Sequence, residues 1–349
     1  MIKLRAALEG LRARAHGGEP VSGGTERVRD FSVNLNPYGP PEFVLEAIRD
    51  ATAEIDRYPD TGCAALREQL AHKYGCAANE ILVGAGVSEL IQLVALSFVK
   101  DRVLIPAHTY GEYEPAARIM GAQIARVAMP GLRIVPELIM DTLQPDDVVF
   151  LCNPNNPTGQ YLEEEAVNGI VEAAERVNAL VVLDEAYVDF VTDAFPAQRL
   201  ATQNLIIVRS LTKSFAIPGI RIGYAISTKE LITAMESVKT PWSVSVIAQK
   251  VGAAVLGAEG DAFLADSRAR IERSKERIEA VLEVHSDANY YLLEVVNAAG
   301  AKKRLLEDGF LIRDCTSFGL PRHIRFSVKK DGENELLLHN VMAMLAARE

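Results

Sequence analysis

The chain has 349 residues, 49% of them hydrophobic and 24% charged, and a formal net charge of −10. That length suits about two domains, or one large domain with an appendage, and the composition is that of a globular protein. The negative balance argues against non-specific binding to nucleic acid or to an acidic membrane surface, although local arginines can still form a positive pocket for a small anion.

No apolar run reaches membrane-spanning length, and the N-terminal stretch MIKLRAALEGLRARA does not read as a signal peptide. Its basic, amphipathic pattern predicts a short helix laid on the protein surface. Cys63, Cys76, Cys152 and Cys315 show neither CxxC nor metal-ligand spacing, so they read as reduced thiols of a cytoplasmic protein. There is no internal repeat.

After the first helix, HGGEPVSGG is too rich in glycine for regular structure. DFSVNLNPYGPP then runs from an extended piece into a Pro/Gly turn, where Pro37, Pro40 and Pro41 fix backbone angles and Gly39 permits an unusual one. It is either a shaped segment or an ordinary connection. A helix over 43–55 leads to RYPD, with Tyr58 at a turn, and a second helix carries Leu66, Leu70 and Tyr74 on one face.

From Ile81 strands and helices alternate. The runs ILVG, RVLIP, QIARV, VVFLC, LVVLD, LIIVR and IRIGYAI predict strands beginning at 81, 102, 123, 148, 180, 205 and 220. The intervening helices include one with Leu162, Ala166, Ile170, Ala174 and Val177 along a stripe. Seven short apolar strands separated by helices predict a mostly parallel sheet covered on both faces, whose ligands collect at the strand ends.

Those ends hold the polar residues. GAGVSEL places glycine backbone and Ser88 at the start of a helix, suited to a phosphate. NPNNPTG follows the fourth run, DEAY the fifth, and SLTKSFAIPGIRIGY the sixth. Ser210, Lys213 and Arg221 in that last stretch fit a covalent pocket, with Lys213 as a Schiff-base amine and Ser210 and Arg221 on a phosphate. Arg221 is expected to be enclosed by the final apolar run. Alone, the stretch also fits a solvated loop.

From about residue 229 the order changes: helices over 229–238, 243–256 and 261–284, a strand at 289, a helix over 299–308, strands FLIRD and HIRFSV, and a closing helix over 333–348. This predicts a smaller α+β domain. The expected division is an N-terminal arm and shaped loop (1–42), a large domain (43–235) and a small domain (236–349), with a ligand cleft between.

A pyridoxal phosphate enzyme needs a lysine, phosphate ligands, an acid for the ring nitrogen and a group to hold the ring flat. Asp184, ending a buried strand, fits the acid, as it also fits a helix N-cap. Tyr187 and Asn156 fit contacts to the cofactor's phenolic oxygen. Tyr110, in PAHTYGEYE, fits a stacking partner or a packed loop aromatic.

SxxK with an arginine eight residues on, NPxNPTG and DEAY, in this order, resemble the class I/II aminotransferase superfamily of fold type I pyridoxal phosphate enzymes. The resemblance covers nearly the whole chain. It implies Lys213 as the cofactor lysine, Asp184 at the ring nitrogen, Asn156 and Tyr187 at the phenolic oxygen, and Tyr110 on the ring face. It implies Val87, Ser88, Ser210 and Arg221 at the cofactor phosphate, and Tyr58 reaching that phosphate from the other subunit of a homodimer with shared active sites. Arg325 in HIRFSV matches an arginine that grips a substrate anion, and Asn36 and Tyr38 of NPYGPP fall on the substrate side.

Within the superfamily the chain resembles the branch of histidinol-phosphate aminotransferase and threonine-phosphate decarboxylase. HGG at His16, DFSxNxNPxGPP, FAIPGIRIGY, PWSVS and LIRDCTSFGL lean to the decarboxylase, which implies cobalamin side-chain synthesis; the alternative is 2-oxoglutarate-dependent transamination in histidine biosynthesis. Relatives often read GNG where this chain has Gly84-Ala85-Gly86. Arg313 and Arg325 fit two cationic anchors for a phosphorylated amino compound, although Arg313 also fits a structural ion pair with Asp314. His16 fits a phosphate contact or an idle loop residue. A dehydrogenase reading of GAGVSE fails at the third glycine, where Glu89 follows Ser88. A non-catalytic descendant sits poorly with the presence of Lys213, Asp184 and Arg221.

Overall fold

All seven predicted apolar runs enter one sheet in the computed structural model, which describes residues 5–8, 17–18, 28–200 and 202–347. The N-terminal helix and His16 lie outside the described residues, apart from a single turn at Ala6–Leu8. Strands are numbered from β1 (Arg29–Asp30). The large sheet contains β2 (Ile81–Gly84), β3 (Arg102–Pro106), β4 (Gln123–Val127), β5 (Val148–Cys152), β6 (Leu180–Asp184), β7 (Leu205–Ser210) and β8 (Gly223–Ile226). Its order is β2-β8-β7-β6-β5-β3-β4. Every strand is parallel to the rest except β8, which runs antiparallel to both β2 and β7.

The central strands are buried on both faces because their apolar residues alternate between two cores. Val149, Leu151, Val181 and Leu183 enter one, beneath the helix Glu164–Arg176. Val148, Phe150, Val182 and Ile206 enter the other, with the helix Val87–Phe98.

A third core lies under a smaller antiparallel sheet, ordered β11 (Arg313–Asp314), β12 (His323–Ser327), β9 (Tyr290–Glu294). The short β10 (Phe310–Leu311) pairs in parallel with β1 as a separate two-stranded sheet. The Ser327 N–H of β12 donates to the Phe31 carbonyl at 2.9 Å, so the N-terminal segment is stitched to the smaller sheet and Phe31 is buried in its core.

Two expectations are corrected. The strand predicted from Ile220 begins only at Gly223, because Pro218–Ile220 forms a 3-10 turn and Arg221 takes a left-handed conformation at φ 59°. Arg221 is consequently exposed rather than enclosed. FLIRD divides into β10 and β11, which join different sheets. Val244, Ala248, Val251 and Val255 pack into the first core with Leu66 and Ile222, and we propose on that ground that the large domain extends to about Val255.

Candidate active site

The site grows from the C-terminal ends of the parallel strands, where ligand crevices form in sheets of this kind. Pairing register aligns Gly84, Gly223 and Ser210 across β2, β8 and β7. A Cβ on Gly223 would meet the backbone nitrogen of Val87 at 3.2 Å and the Arg209 carbonyl oxygen at 2.8 Å. Only glycine lets the start of the helix Val87–Phe98 approach this closely. A Cβ on Gly86 would lie 2.5 Å from an Arg221 guanidinium nitrogen. Glycines thus let the helix N-terminus and Arg221 converge, and the Arg221 guanidinium bonds back to the Pro218 and Ala85 carbonyls. Ala85 is itself tied through its N–H to Glu89, 2.5 Å away.

Ser210 caps the short helix Leu211–Ser214, its Oγ accepting from the Thr212 N–H at 3.2 Å and lying 2.8 Å from the Thr212 hydroxyl. This turn aims Lys213 into a cavity of about 80 Å³ lined also by Val87, Ser88, Tyr110, Asp184, Tyr187 and Arg221. Burial, with Arg221 and Arg325 nearby, lowers the Lys213 amine to about 8. That favours the neutral, nucleophilic amine.

Asp184 lies at the end of β6 and is fully buried, which pushes its carboxyl up to about 6. The Tyr113 hydroxyl donates to its Oδ2 at 2.7 Å and the Ala186 N–H to its Oδ1 at 3.0 Å, and both oppose that rise. Tyr113 is stacked on Phe150 at 4.9 Å and meets Tyr110 edge-on at 5.5 Å. Burial raises the pKa of the Tyr110 phenol, and the neighbouring Ser88 hydroxyl opposes that rise.

A second cavity, of about 140 Å³, shares Tyr110, Tyr187 and Lys213 with the first and adds Asn34, Asn156, Arg313 and Arg325. Arg313 and Arg325 are opposed partners on β11 and β12, and both are at least nine-tenths buried. Arg325 donates to the Asn156 Oδ1 and, at 2.8 Å, to the Ser32 carbonyl. Asn156 sits in a braced loop: Asn155 donates to the His108 carbonyl and Thr158 Oγ1, and Tyr290 donates to the Asn155 carbonyl.

Three predicted residues fall elsewhere. The Asn36 amide is consumed in holding the N-terminal loop on the lysine turn, donating to the Ser214 carbonyl and Ser267 Oγ, each at 2.8 Å. Tyr38 is covered by the Arg270 guanidinium, 3.7 Å from its ring centre. Neither lines the cavities. Tyr58 is 80% exposed, outside both cavities, with its ring tilted against Trp242 and the ring centres 4.6 Å apart.

Two residues were missed. Tyr113 is one; a tyrosine three places from Tyr110 was visible, but its contact to Asp184 was not. Asn34 is the other. It is 2% exposed, lines the cavity and faces the Tyr187 phenol, yet among the described residues neither of its polar atoms has a partner at hydrogen-bonding geometry. NLNP offers two asparagines, and nothing in the sequence says which faces the site.

A buried lysine of lowered pKa, a buried carboxylate and a cradle of backbone N–H groups, hydroxyls and a guanidinium fit an aldehyde bearing a phosphate and a cationic ring nitrogen. Fold and site together define a pyridoxal phosphate-dependent enzyme of fold type I. The chain belongs to the aminotransferase class I and II family, whose profile matches residues 26–341. It is 37% identical to histidinol-phosphate aminotransferase 2 of Archaeoglobus fulgidus, across 90% of this chain and 92% of that protein. The structure resembles histidinol-phosphate aminotransferase from Sinorhizobium meliloti in complex with pyridoxal-5'-phosphate, with a TM-score of 0.83 and 26% identity over 91% of each chain. It also resembles L-threonine-O-3-phosphate decarboxylase from Porphyromonas gingivalis, with a TM-score of 0.82 and 26% identity over 90% of this chain and 99% of that one. Among the described residues no helix is long and apolar enough to cross a membrane.

Proposed function

We propose that the enzyme acts on a small amino acid phosphate and removes its carboxylate, as a threonine-phosphate decarboxylase does. The observation carrying this reading is the opposed pair Arg313 and Arg325 in the wall of the cavity that holds Lys213. Two buried guanidinium groups side by side suit a substrate with two anionic groups, and threonine phosphate has both a carboxylate and a phosphate.

When bound, pyridoxal phosphate supplies an electron sink for the pair released as a bond at Cα breaks. Lys213 would hold the cofactor through Nζ and would move a proton at the substrate Cα. Asp184 serves the ring nitrogen as a carboxylate, kept ionised by Tyr113. Asn156 and Tyr187 address the phenolic oxygen and Tyr110 the ring face. Val87, Ser88, Ser210 and Arg221 hold the phosphate. Tyr58, exposed here, reaches that phosphate in the other subunit of a homodimer; activity regained on mixing inactive Tyr58→Ala and Lys213→Ala subunits tests this.

The second reading is transamination of histidinol phosphate, favoured by the 37% identity to the Archaeoglobus enzyme. There the arginines serve a phosphate and, in the other half-reaction, a keto-acid carboxylate. Titrating the holoenzyme with L-threonine O-3-phosphate, L-threonine and L-histidinol phosphate, and following cofactor absorbance, separates the two. The decarboxylase reading expects threonine phosphate to bind at least about tenfold tighter than threonine. Tight binding of histidinol phosphate alone contradicts it.

A further inference from the structure

The two arginines are tied to the large domain by different routes. Arg325 bonds to Asn156 directly. Arg313 is held by the turn that follows its own strand: its guanidinium donates to Ser317 Oγ at 2.8 Å and lies 5.6 Å from the centre of the Phe318 ring. That turn is built by Asp314, whose Oδ1 accepts from the Thr316 N–H at 2.8 Å and from its hydroxyl at 2.6 Å. It ends at Gly319 in the left-handed region, φ 76°.

The turn in turn rests on His108. Nδ1 of His108 lies 2.8 Å from the Phe318 carbonyl. A carbonyl only accepts, so Nδ1 carries the proton in this contact. His108 is fixed in its own loop, its carbonyl accepting from Asn155 Nδ2 at 3.0 Å and its N–H facing Met129 Sδ at 3.3 Å. Ser317 and Phe318 border the substrate cavity on one side and a larger cavity, of about 580 Å³, on the other.

We infer that His108, Ser317 and Phe318 are positioning residues that set the direction of Arg313 and with it the enzyme's selectivity for a phosphorylated substrate. An arginine has many rotamers, and ordering one before the ligand arrives removes that cost from binding. The chain of contacts runs from Asn155 through His108 and Phe318 to Arg313, so an anion site on the small sheet takes its geometry from the large one. This inference rests on reading Arg313 as an anion anchor.

The test is calorimetric titration of the holoenzyme, whose cofactor phosphate site is filled, with inorganic phosphate. Arg313→Ala is the reference and should abolish binding. Ser317→Ala, at an exposed position, and His108→Ala should each weaken it about tenfold. His108→Asn, which keeps a side-chain N–H, should return toward the wild-type value. Cofactor absorbance should be unchanged throughout, and with the phosphorylated substrate KM should rise while kcat holds. Unchanged phosphate binding in Ser317→Ala and His108→Ala, with loss only in Arg313→Ala, overturns the positioning role and leaves the anion anchor standing. Unchanged binding in Arg313→Ala overturns both.

Discussion

Arg313 and Arg325 stand directly opposite one another on adjacent antiparallel strands, and both line the cavity into which Lys213 projects. Like charges so placed repel, and each guanidinium is anchored by hydrogen bonds: Arg325 to Asn156 and Ser32, Arg313 to Ser317. We read the pair as the anion site of the proposed substrate.

Arg325→Lys keeps the charge and loses the planar fork that reaches Asn156 and Ser32 together. The variant should bind cofactor normally and lose about 10- to 100-fold in kcat/KM, read from steady-state rates on the best substrate. An unchanged kcat/KM would mean that the charge alone suffices.

Lys213 is lowered from 10.5 to about 8, chiefly by burial. The rate at which cofactor-free protein captures pyridoxal phosphate should rise with pH and level off above about 8, measured as a borohydride-fixed adduct by mass spectrometry. Lys213→Ala should give no adduct. Because the folded protein binds fewer protons here than the unfolded chain, stability of the cofactor-free form should also rise with pH between those two values. A plateau near 10.5 would refute the buried-amine account.

Asp184 behaves oppositely. Its folded pKa, about 6, lies above its ordinary 3.8, so its contribution to stability is full below the lower value and is lost as pH rises through the upper one. Tyr113→Phe removes a hydrogen bond that favours the carboxylate and should move that loss to higher pH. Cofactor affinity near neutrality should weaken with it. Thermal unfolding of the cofactor-free protein across about pH 5 to 8 checks this, with Asp184→Asn as the flat reference. Identical curves for wild type and Tyr113→Phe would remove Tyr113 from the account.

Among the described residues, Asn34 presents a buried amide to the cavity beside the Tyr187 phenol, with no partner at hydrogen-bonding geometry. A group left so is expensive unless a ligand or water completes it. Asn34→Ala should raise KM about tenfold with cofactor absorbance intact. A variant that loses stability but keeps its KM would mark a buried water site instead.

Much of the scaffold was legible because buried parallel strands announce themselves as apolar runs, and polar residues at their ends have nowhere to go but the crevice. Ser88, Asn156, Asp184, Tyr187, Ser210 and Lys213 fell into line for that reason. Arg221 was misread as enclosed because the sequence does not reveal that Pro218 and Gly219 turn the chain before the strand begins. Asn36 and Tyr38 were carried into the site with their motif, whereas the fold spends Asn36 on Ser214 and Ser267 and covers Tyr38 with Arg270. Such assignments depend on contacts between segments more than 170 residues apart, which no local pattern encodes.

The most direct test is carbon dioxide release from L-threonine O-3-phosphate by the holoenzyme with no keto acid present. The account predicts catalytic release with formation of an aminopropanol phosphate, lost in Lys213→Ala and strongly reduced in Arg313→Ala and Arg325→Ala. No release from threonine phosphate, with turnover of histidinol phosphate that depends on 2-oxoglutarate, would contradict it and establish the transaminase.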